Sequence, residues 1–293
     1  MMIQEEIIKF HKPVNSKDID LVENVIYPIF FRNTNNDKQY LNEIKSSFLA
    51  AMKEANLNFL KRYIFWLYVY RTITQGIKKG LPLVRVEDTL RKFIRNHAGN
   101  EKDKKEYAIK RAKMNFDGIK DYIKGKRVLD LGAGNGLLAK EIKEKLGKDV
   151  ILVDIEDYNY TDLQMILYSP DSRIPLKDED VDTTILYTVL HHASDPIHLL
   201  DEATRITKTR LIIKEAYVEE DHFRISNSFF DWFYNRVIGD QDINVPLNFL
   251  RINGWEKILK SYGYKVTQTK YLGIDEPFVP EYHIFIIADK INN

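Results

Sequence analysis

The residues with the clearest chemical use follow a short apolar run near the middle of the chain. Val128 to Gly136 reads Val-Leu-Asp-Leu-Gly-Ala-Gly-Asn-Gly, and Leu137 to Leu146 continues with the spacing of an amphipathic helix. The apolar run predicts a strand buried on both faces of a parallel sheet. Glycine allows a sharp turn from strand to helix with an accessible backbone, and the helix start presents free N–H groups. We therefore expect this turn to bind a ligand.

The spacing of the three glycines, Gly132, Gly134 and Gly136, narrows the choice of ligand. A dinucleotide fingerprint would need its third glycine at Leu137, and a P-loop would need Gly-Lys-Ser/Thr, so neither pattern matches. The pattern Asp-x-Gly-x-Gly-x-Gly resembles the first motif of the class I S-adenosylmethionine-dependent methyltransferases. This resemblance implies that the loop wraps the amino-acid end of the cofactor and that Asp130 receives its ammonium, directly or through water. A purely structural corner of another α/β protein is the alternative.

A second acidic residue ends the next predicted strand. Asp149 to Val153 is apolar after its first residue, and Asp154 follows it. In dinucleotide-binding folds a carboxylate at this place, about 20 residues further on, binds the ribose hydroxyls. The resemblance implies the same role for Asp154, and a loop carboxylate in water is the alternative. The cofactor-binding residues predicted in these two segments are Asp130, Gly132, Ala133, Gly134, Gly136, Asp154 and Ile155.

The segment 171–182 supplies the next acidic candidates. It resembles a passage of small-molecule methyltransferases in which an acidic residue before Leu-Pro-Phe contacts the adenine amino group. Asp171 is the nearest match, one residue short of the usual spacing, and Ser172 is the alternative contact. We expect Asp182 to start the fourth strand rather than to bind a ligand.

Two adjacent histidines, His191 and His192, follow the predicted strand 183–190. Ligands of open α/β sheets bind at the carboxyl ends of strands, so this turn should face the transferred methyl group. The segment resembles the Leu-His-His segment of ubiquinone- and menaquinone-type methyltransferases. Either histidine is a candidate for catalysis because its pKa lies near neutral pH. A histidine that only shapes the turn is the alternative. Tyr187, at the end of the strand, is a candidate substrate contact.

The stretch 216–246 follows the fifth predicted strand, 210–215, and is rich in aromatic and ionisable residues. In methyltransferases of this fold, such a segment commonly covers the substrate pocket. An Asp-Trp pair with an asparagine one helical turn later predicts a place for a polar substrate. Packing is the alternative for the aromatic residues. The substrate-contact candidates of this stretch are His222, Asp231, Trp232 and Asn235.

The elements that position these residues fall into two regions. Residues 1–115 show helical periodicity, with Ser16 as a candidate cap for the first helix. The aromatic residues of the helix predicted at 58–79 should pack in a core, although a nucleotide-stacking surface is the alternative. From residue 116 to 293, strands and helices alternate. This pattern predicts an α/β methyltransferase domain with a seven-stranded, mostly parallel, Rossmann-like sheet covered by helices on both faces.

Composition restricts the remaining chemistry. The chain has no cysteine, which excludes disulfides, thiolate metal sites and a cysteine nucleophile. Its start lacks the pattern of a signal peptide, and its most apolar run, 63–70, is too short for a membrane span, so we expect a cytoplasmic protein. Residues 1–127 carry a charge of about +11 and the remainder about −10. The basic region could attract an anionic substrate, nucleic acid or a membrane surface, or form a solvated face.

The resulting hypothesis is an enzyme that transfers a methyl group from S-adenosylmethionine to an oxygen, nitrogen or carbon atom of a small molecule. S-adenosylhomocysteine would be the product, and no metal is expected. The first alternative is a nucleic-acid methyltransferase that uses the basic helices. Against it, the chain lacks both the Asn/Asp-Pro-Pro-Tyr/Phe tetrapeptide and the cysteine of pyrimidine methylation. The second alternative is an inactive cofactor-binding partner subunit. The helical region is expected to be a lid, a dimerisation surface in a homodimer, or a site for another partner.

Overall fold

A computed structural model describes residues 21–32, 34–54, 57–97, 101–239, 245–276 and 279–291. The predicted cap at Ser16 lies outside these residues. Four helices come first and form a helical layer, and a fifth helix leads into the sheet. They are α1 Leu21–Phe31, α2 Asn35–Glu54, α3 Phe59–Lys78, α4 Leu83–His97 and α5 Glu101–Ile119.

The seven-stranded sheet that follows has the predicted alternation of strands and helices. Its elements are β1 Arg127–Leu131, α6 Leu137–Leu146, β2 Asp149–Asp154, β3 Met165–Leu167, β4 Val181–Tyr187, α7 Pro196–Ile206, β5 Thr207–Ala216, α8 Asp221–Trp232, α9 Ile252–Ser261, β6 Tyr264–Ile274 and β7 Tyr282–Lys290. The strand order is β3-β2-β1-β4-β5-β7-β6. The first five strands are parallel, and β7 runs antiparallel to both β5 and β6. The predicted fold class is therefore confirmed.

The starts of the helices in the helical layer have local causes. The hydroxyl of Thr34 accepts from the N–H of Asp37, and the Asp37 carboxylate accepts from the Thr34 hydroxyl in return. This reciprocal cap starts α2 at Asn35. The side chain of Asn58 accepts from the N–H of Lys61 at 2.9 Å and caps α3.

The helical layer has its own hydrophobic core, which it shares with α8 and with the π-helical turn 233–238 that follows. Trp66 on α3 is 4% exposed and lies against Phe48 of α2 and Phe229 of α8. Phe65, Trp66, Tyr68 and Tyr70 of α3 thus pack in or against a core, as predicted, whereas Phe59 and Tyr63 at the start of the helix are exposed. By contrast, Phe116 of α5 belongs to a different core cluster, on one face of the sheet.

Two connections between strands bear on the site. The connection from β2 to β3, residues 155–164, contains no helix, because it is too short for a full crossover helix. The carboxylate of Asp182, the second residue of β4, accepts from the backbone N–H groups of Lys126 and Arg127 at 2.7 and 3.0 Å. The prediction of a strand-start role for Asp182 is therefore confirmed. Among the described helices, none combines the length and the apolar character needed to cross a membrane.

Candidate active site

The glycine loop connects β1 to α6 with three residues in the left-handed region, Gly132, Gly134 and Gly136 at φ 77°, 53° and 70°. A Cβ on Gly132 would lie 2.3 Å from the side chain of Val189, and one on Gly136 would lie 2.7 Å from Asn159. These two glycines are therefore required by close packing as well as by backbone conformation. A Cβ on Gly134 would meet nothing within 4 Å. The loop is consequently open to a ligand at its middle glycine.

Asp130 lies beneath this loop on β1 with a carboxyl group that is 2% exposed. Its Oδ2 atom is buried and has no hydrogen-bond partner among the described residues. Burial, and to a lesser extent the nearby Asp154, raise the pKa of the Asp130 carboxyl to about 7. An unpaired carboxylate in this position fits a cationic group such as the ammonium of an amino acid.

Asp154 ends β2 beside the same loop. Its Oδ2 accepts from the N–H of Gly134 and its Oδ1 from the N–H of Ile155, both at 2.7 Å. Burial raises the pKa of the Asp154 carboxyl, although these backbone N–H groups act in the opposite direction. Each carboxylate oxygen keeps a second lone pair for hydroxyl groups. The side chain of Ile155 is 50% exposed next to it and offers an apolar surface. This arrangement suits a ribose with an adjoining flat ring.

The two residues predicted to contact the adenine, Asp171 and Ser172, lie in a turn between β3 and β4. Asp171 is exposed, and Ser172 is partly buried. The Ser172 hydroxyl donates to the carbonyl of Ser169 at 2.8 Å, while its backbone carbonyl contacts a ring nitrogen of His198. The hydroxyl of Ser172 is thus used within the turn, whereas the Asp171 carboxylate faces solvent.

The turn after β4 is organised by Glu215, the penultimate residue of β5. Glu215 is fully buried, and its Oε1 accepts from the N–H groups of Val189 and Leu190 at 2.8 and 2.7 Å. Its Oε2 lies 2.5 Å from Nδ1 of His191. Burial lowers the pKa of His191, but the Glu215 carboxylate outweighs this effect, and the pKa rises to about 9. Glu215 therefore fixes the position of the His191 ring through Nδ1.

His192, the second histidine, is partly exposed and faces α8. Its Nε2 lies 3.5 Å from Oδ1 of Asp231, and the two imidazole rings of His191 and His192 are 4.1 Å apart. Asp231 is fully buried, and the amide of Asn235 donates to its Oδ1 at 2.7 Å. Burial raises the pKa of Asp231 to about 7, although His191 acts in the opposite direction. Four of the predicted site residues therefore come together between β4 and α8.

The other predicted substrate contacts have different surroundings. Trp232 is fully buried in the core of the helical layer, where its indole N–H donates to Glu87 of α4 at 2.7 Å. The ring of His222 lies at the start of α8 against Phe223, with Glu220 3.3 Å away. These surroundings favour packing for Trp232 and a contact with Glu220 for His222. The ring of Tyr187 lies under the ammonium of Lys214, and burial raises the pKa of its hydroxyl.

A second buried polar cluster at the ends of β5 and β7 was missed by the sequence analysis. Lys214 is 1% exposed, and its ammonium lies 2.7 Å from Asp275 and 2.6 Å from Glu276. Arg111 of α5 adds a 2.5 Å contact to Glu276, and His283 contacts Asp275 at 2.7 Å. The signal in the sequence was the pair Lys214-Glu215 at the end of an otherwise apolar strand, because charged residues are seldom buried unless paired.

Within the part of the chain that the structure describes, two sets of side chains have atoms close enough to hold a metal ion. The first is His191, His192 and Asp231, and the second is Asp275, Glu276 and His283, each with ligand atoms within 4.8 Å of one another. In the second set, the carboxylates are already neutralised by Lys214 and Arg111.

Comparison with known proteins shows which proteins parts of this chain resemble. Residues 129–212 match the family model described as a methyltransferase domain. An uncharacterized protein of Methanocaldococcus jannaschii is 27% identical over 167 residues, which cover 56% of this chain and 78% of that protein. The chain is also similar to a SAM-dependent methyltransferase of Archaeoglobus fulgidus, with 16% identity, a TM-score of 0.47 and coverage of 62% of this chain and 94% of that one. A magnesium protoporphyrin IX methyltransferase of Synechocystis, solved with bound SAH, is 16% identical with a TM-score of 0.45, covering 69% and 93%.

Proposed function

We propose that this chain, a class I S-adenosylmethionine-dependent methyltransferase, methylates an oxygen or nitrogen atom of a small polar molecule bound between β4 and α8. One observation supports the choice of a small polar molecule as the acceptor. Oδ2 of Asp231 and the hydroxyl oxygen of Tyr234 are buried under the helical layer and have no hydrogen-bond partner among the described residues. Each such group costs about 1–3 kcal/mol when it is left unpaired. A small polar acceptor that reaches both of them removes this cost.

On the cofactor side, each predicted residue has one proposed contact with S-adenosylmethionine. Asp130 pairs with the ammonium, the N–H groups of the loop 132–136 surround the amino-acid end, and Asp154 accepts hydrogen bonds from the ribose hydroxyls. Ile155 covers one face of the adenine, with Asp171 and Ser172 near its edge. S-adenosylmethionine supplies a methyl group that is already activated on a sulfonium sulfur. The protein must therefore mainly align the acceptor and remove its proton.

On the acceptor side, the two histidines have different roles. His191 is fixed by Glu215 and holds the turn in place. His192 is partly exposed and lies beside Asp231. We assign the binding of the acceptor's reacting group, and the removal of its proton, to the pair formed by His192 and Asp231. Protein nitrogen and oxygen atoms at this place can each accept a proton from a hydroxyl or an amine.

The helical layer acts as a lid in this proposal. Helix α8 carries Asp231 towards the sheet, while Phe229 and Trp232 on the same helix pack into the layer. Glu87 of α4 strengthens this connection, because it accepts from Trp232 and lies 2.7 Å from Arg236. A layer that shares its core with the acceptor-binding helix is better suited to covering a small molecule than to holding a long polymer.

The test is transfer of labelled methyl groups from S-adenosylmethionine into an extract that is then separated into small-molecule, RNA and protein fractions. We expect the label in the small-molecule fraction. Asp231→Asn should reduce the transfer at least tenfold, while calorimetric affinity for S-adenosylmethionine changes less than twofold. Asp221→Asn, at an exposed position of the same helix, is the matched control and should transfer normally. Label in RNA or protein, or undiminished transfer by Asp231→Asn, contradicts the proposal.

A further inference from the structure

The acceptor side of the site has the geometry of a metal centre. One ring nitrogen each of His191 and His192 and one carboxylate oxygen of Asp231 lie within 4.8 Å of one another. The separation between Nε2 of His192 and Oδ1 of Asp231 is 3.5 Å. Metal–ligand bonds of about 2.0–2.1 Å at tetrahedral angles place neighbouring ligand atoms about 3.3–3.4 Å apart. Only small shifts of these side chains would bring the three ligand atoms to bonding distance from one ion.

Two neighbouring side chains, Glu215 and Asn235, hold His191 and Asp231 in their orientations. Oε2 of Glu215 contacts Nδ1 of His191, so Nε2 is the ring nitrogen left for a ligand bond. The amide of Asn235 donates to Oδ1 of Asp231. Metal-binding histidines nearly always donate their other ring N–H to a carboxylate or carbonyl, and ligating carboxylates are hydrogen-bonded in turn. This pattern of supporting contacts is independent of the distances within the set.

Three buried carboxylates lie at or near this place, of which Glu215 is paired with His191 and Glu281 lies 3.5 Å from His283. Glu215 and Asp231 are fully buried, and Glu281 is 3% exposed. All three act electrostatically on His191. Buried carboxylates are normally paired or bound to metals. Oδ1 of Asp231 lies next to His192, and Oδ2 is buried without a partner among the described residues, so Oδ1 can bind the ion while Oδ2 stays available to the acceptor.

We propose that His191, His192 and Asp231 bind one divalent transition-metal ion at the acceptor site. Two imidazoles and one carboxylate suit Zn²⁺, Fe²⁺, Co²⁺ or Mn²⁺ rather than Mg²⁺ or Ca²⁺, which prefer oxygen ligands. Three protein ligands leave the ion a position open. This inference revises the expectation, drawn from the sequence, that no metal is bound.

The role of the ion rests on the proposed function, although its binding does not. An acceptor hydroxyl or amine in the open position would be oriented by the ion, which also lowers the pKa of an oxygen ligand and so eases loss of its proton. The proton would pass to Oδ2 of Asp231, the carboxylate oxygen that does not bind the ion, and the acceptor keeps the electron pair that forms the new bond to carbon. The pair that joined the methyl carbon to sulfur remains on the sulfur.

The experiment measures metal binding directly, without turnover. The full chain, freed of any histidine tag and stripped with a chelator, is titrated with Co²⁺ and followed by the visible absorption of the bound ion, and Zn²⁺ is then added in competition. We expect one Co²⁺ per chain, displaced by Zn²⁺. His192→Ala and Asp231→Asn should each weaken binding at least 100-fold. Glu215→Gln, which alters only a supporting contact, should weaken it about 10–100-fold.

Two controls keep the result interpretable. His97→Gln removes an exposed histidine on α4 and should bind Co²⁺ as the native chain does. Calorimetry with S-adenosylmethionine shows that each variant retains its fold. The absence of a stoichiometric ion, or equal affinity in the native chain and in both ligand variants, would overturn the metal site. The methyl-transfer proposal would still stand in that case if the labelled methyl group reaches small molecules.

Discussion

Substitution of Asp130 by asparagine should weaken cofactor binding without harming the fold. The change keeps the shape of a carboxyl group that is 2% exposed and removes its charge. Truncating one partner of a buried, hydrogen-bonded charge pair costs about 2–5 kcal/mol. The dissociation constant for S-adenosylmethionine at pH 7.5 should therefore rise at least about 30-fold, which isothermal calorimetry can measure.

The same variant should lose the pH dependence of binding. Burial, with a contribution from Asp154, raises the pKa of Asp130 to about 7 in the free protein. A bound ammonium lowers the pKa of a carboxyl by about 1–3 units, so binding releases a proton below pH 7. The affinity is then fully present above pH 7 and is lost as the pH falls. Between pH 7.5 and 5.5 the native dissociation constant should rise on the order of 10–30-fold, whereas that of Asp130→Asn should change little.

The ligand-free Asp130→Asn variant should be more stable than the native chain, although it binds the cofactor more weakly. The pKa of Asp130 is raised by burial, so the unfolded chain releases this proton at lower pH than the folded chain, and folding becomes less favourable between about pH 4 and 7. A pKa about three units higher in the folded chain corresponds to about 4 kcal/mol of stability that the native chain loses at high pH. An asparagine amide left unpaired at this position would cost about 1–3 kcal/mol of the stability regained. We therefore expect Asp130→Asn to stabilise the ligand-free chain by about 1–3 kcal/mol at pH 7.5. Asp149→Asn, at an exposed position, is the control. A variant with native affinity and a native pH profile would refute the argument.

Three further predictions concern other parts of the structure. Gly132→Ala should lower the free energy of unfolding by more than Gly134→Ala in urea titrations. Both positions have positive φ, which costs about 1–2 kcal/mol, but only a Cβ at Gly132 meets a valine at 2.3 Å. Glu276→Ala leaves Lys214 buried without its closest carboxylate and should destabilise the chain by about 3–5 kcal/mol, measured by thermal unfolding, with Glu276→Gln less affected. Glu215→Ala should speed hydrogen exchange of the turn amides that it binds, and unchanged exchange would argue against its organising role.

The sequence was most informative where function depends on local backbone. The glycine spacing predicts the turn from β1 to α6, and the ends of apolar runs place Asp130 and Asp154 beside it. Parallel strands bring their carboxyl ends to one edge of the sheet, so these positions follow from the strand pattern alone. The helix α3 is also predictable, because its aromatic density indicates core packing, and the structure buries Trp66 there.

The remaining parts of the site depend on contacts between distant residues. Glu276 meets Lys214 across 62 positions and Arg111 across 165. No local pattern indicates which buried carboxylate pairs with which cation. The role of Glu215 was missed for the same reason, since it contacts a turn about 25 residues away. Asp231 and Asn235 could be paired from the sequence because residues four apart share a helical face.

Helix α8 connects the two halves of the molecule because its residues point in different directions. Successive residues of a helix are rotated by about 100°, so Asp231 and Trp232 cannot serve the same site. Asp231 lies with the histidines at the end of β4, and Trp232 packs against the helical layer, where its indole bonds to Glu87. The position of the Asp231 carboxylate is therefore set by the helical layer, whereas the glycine loop 132–136 is set by the sheet. Changes in the core of the helical layer should alter acceptor use while leaving cofactor affinity intact.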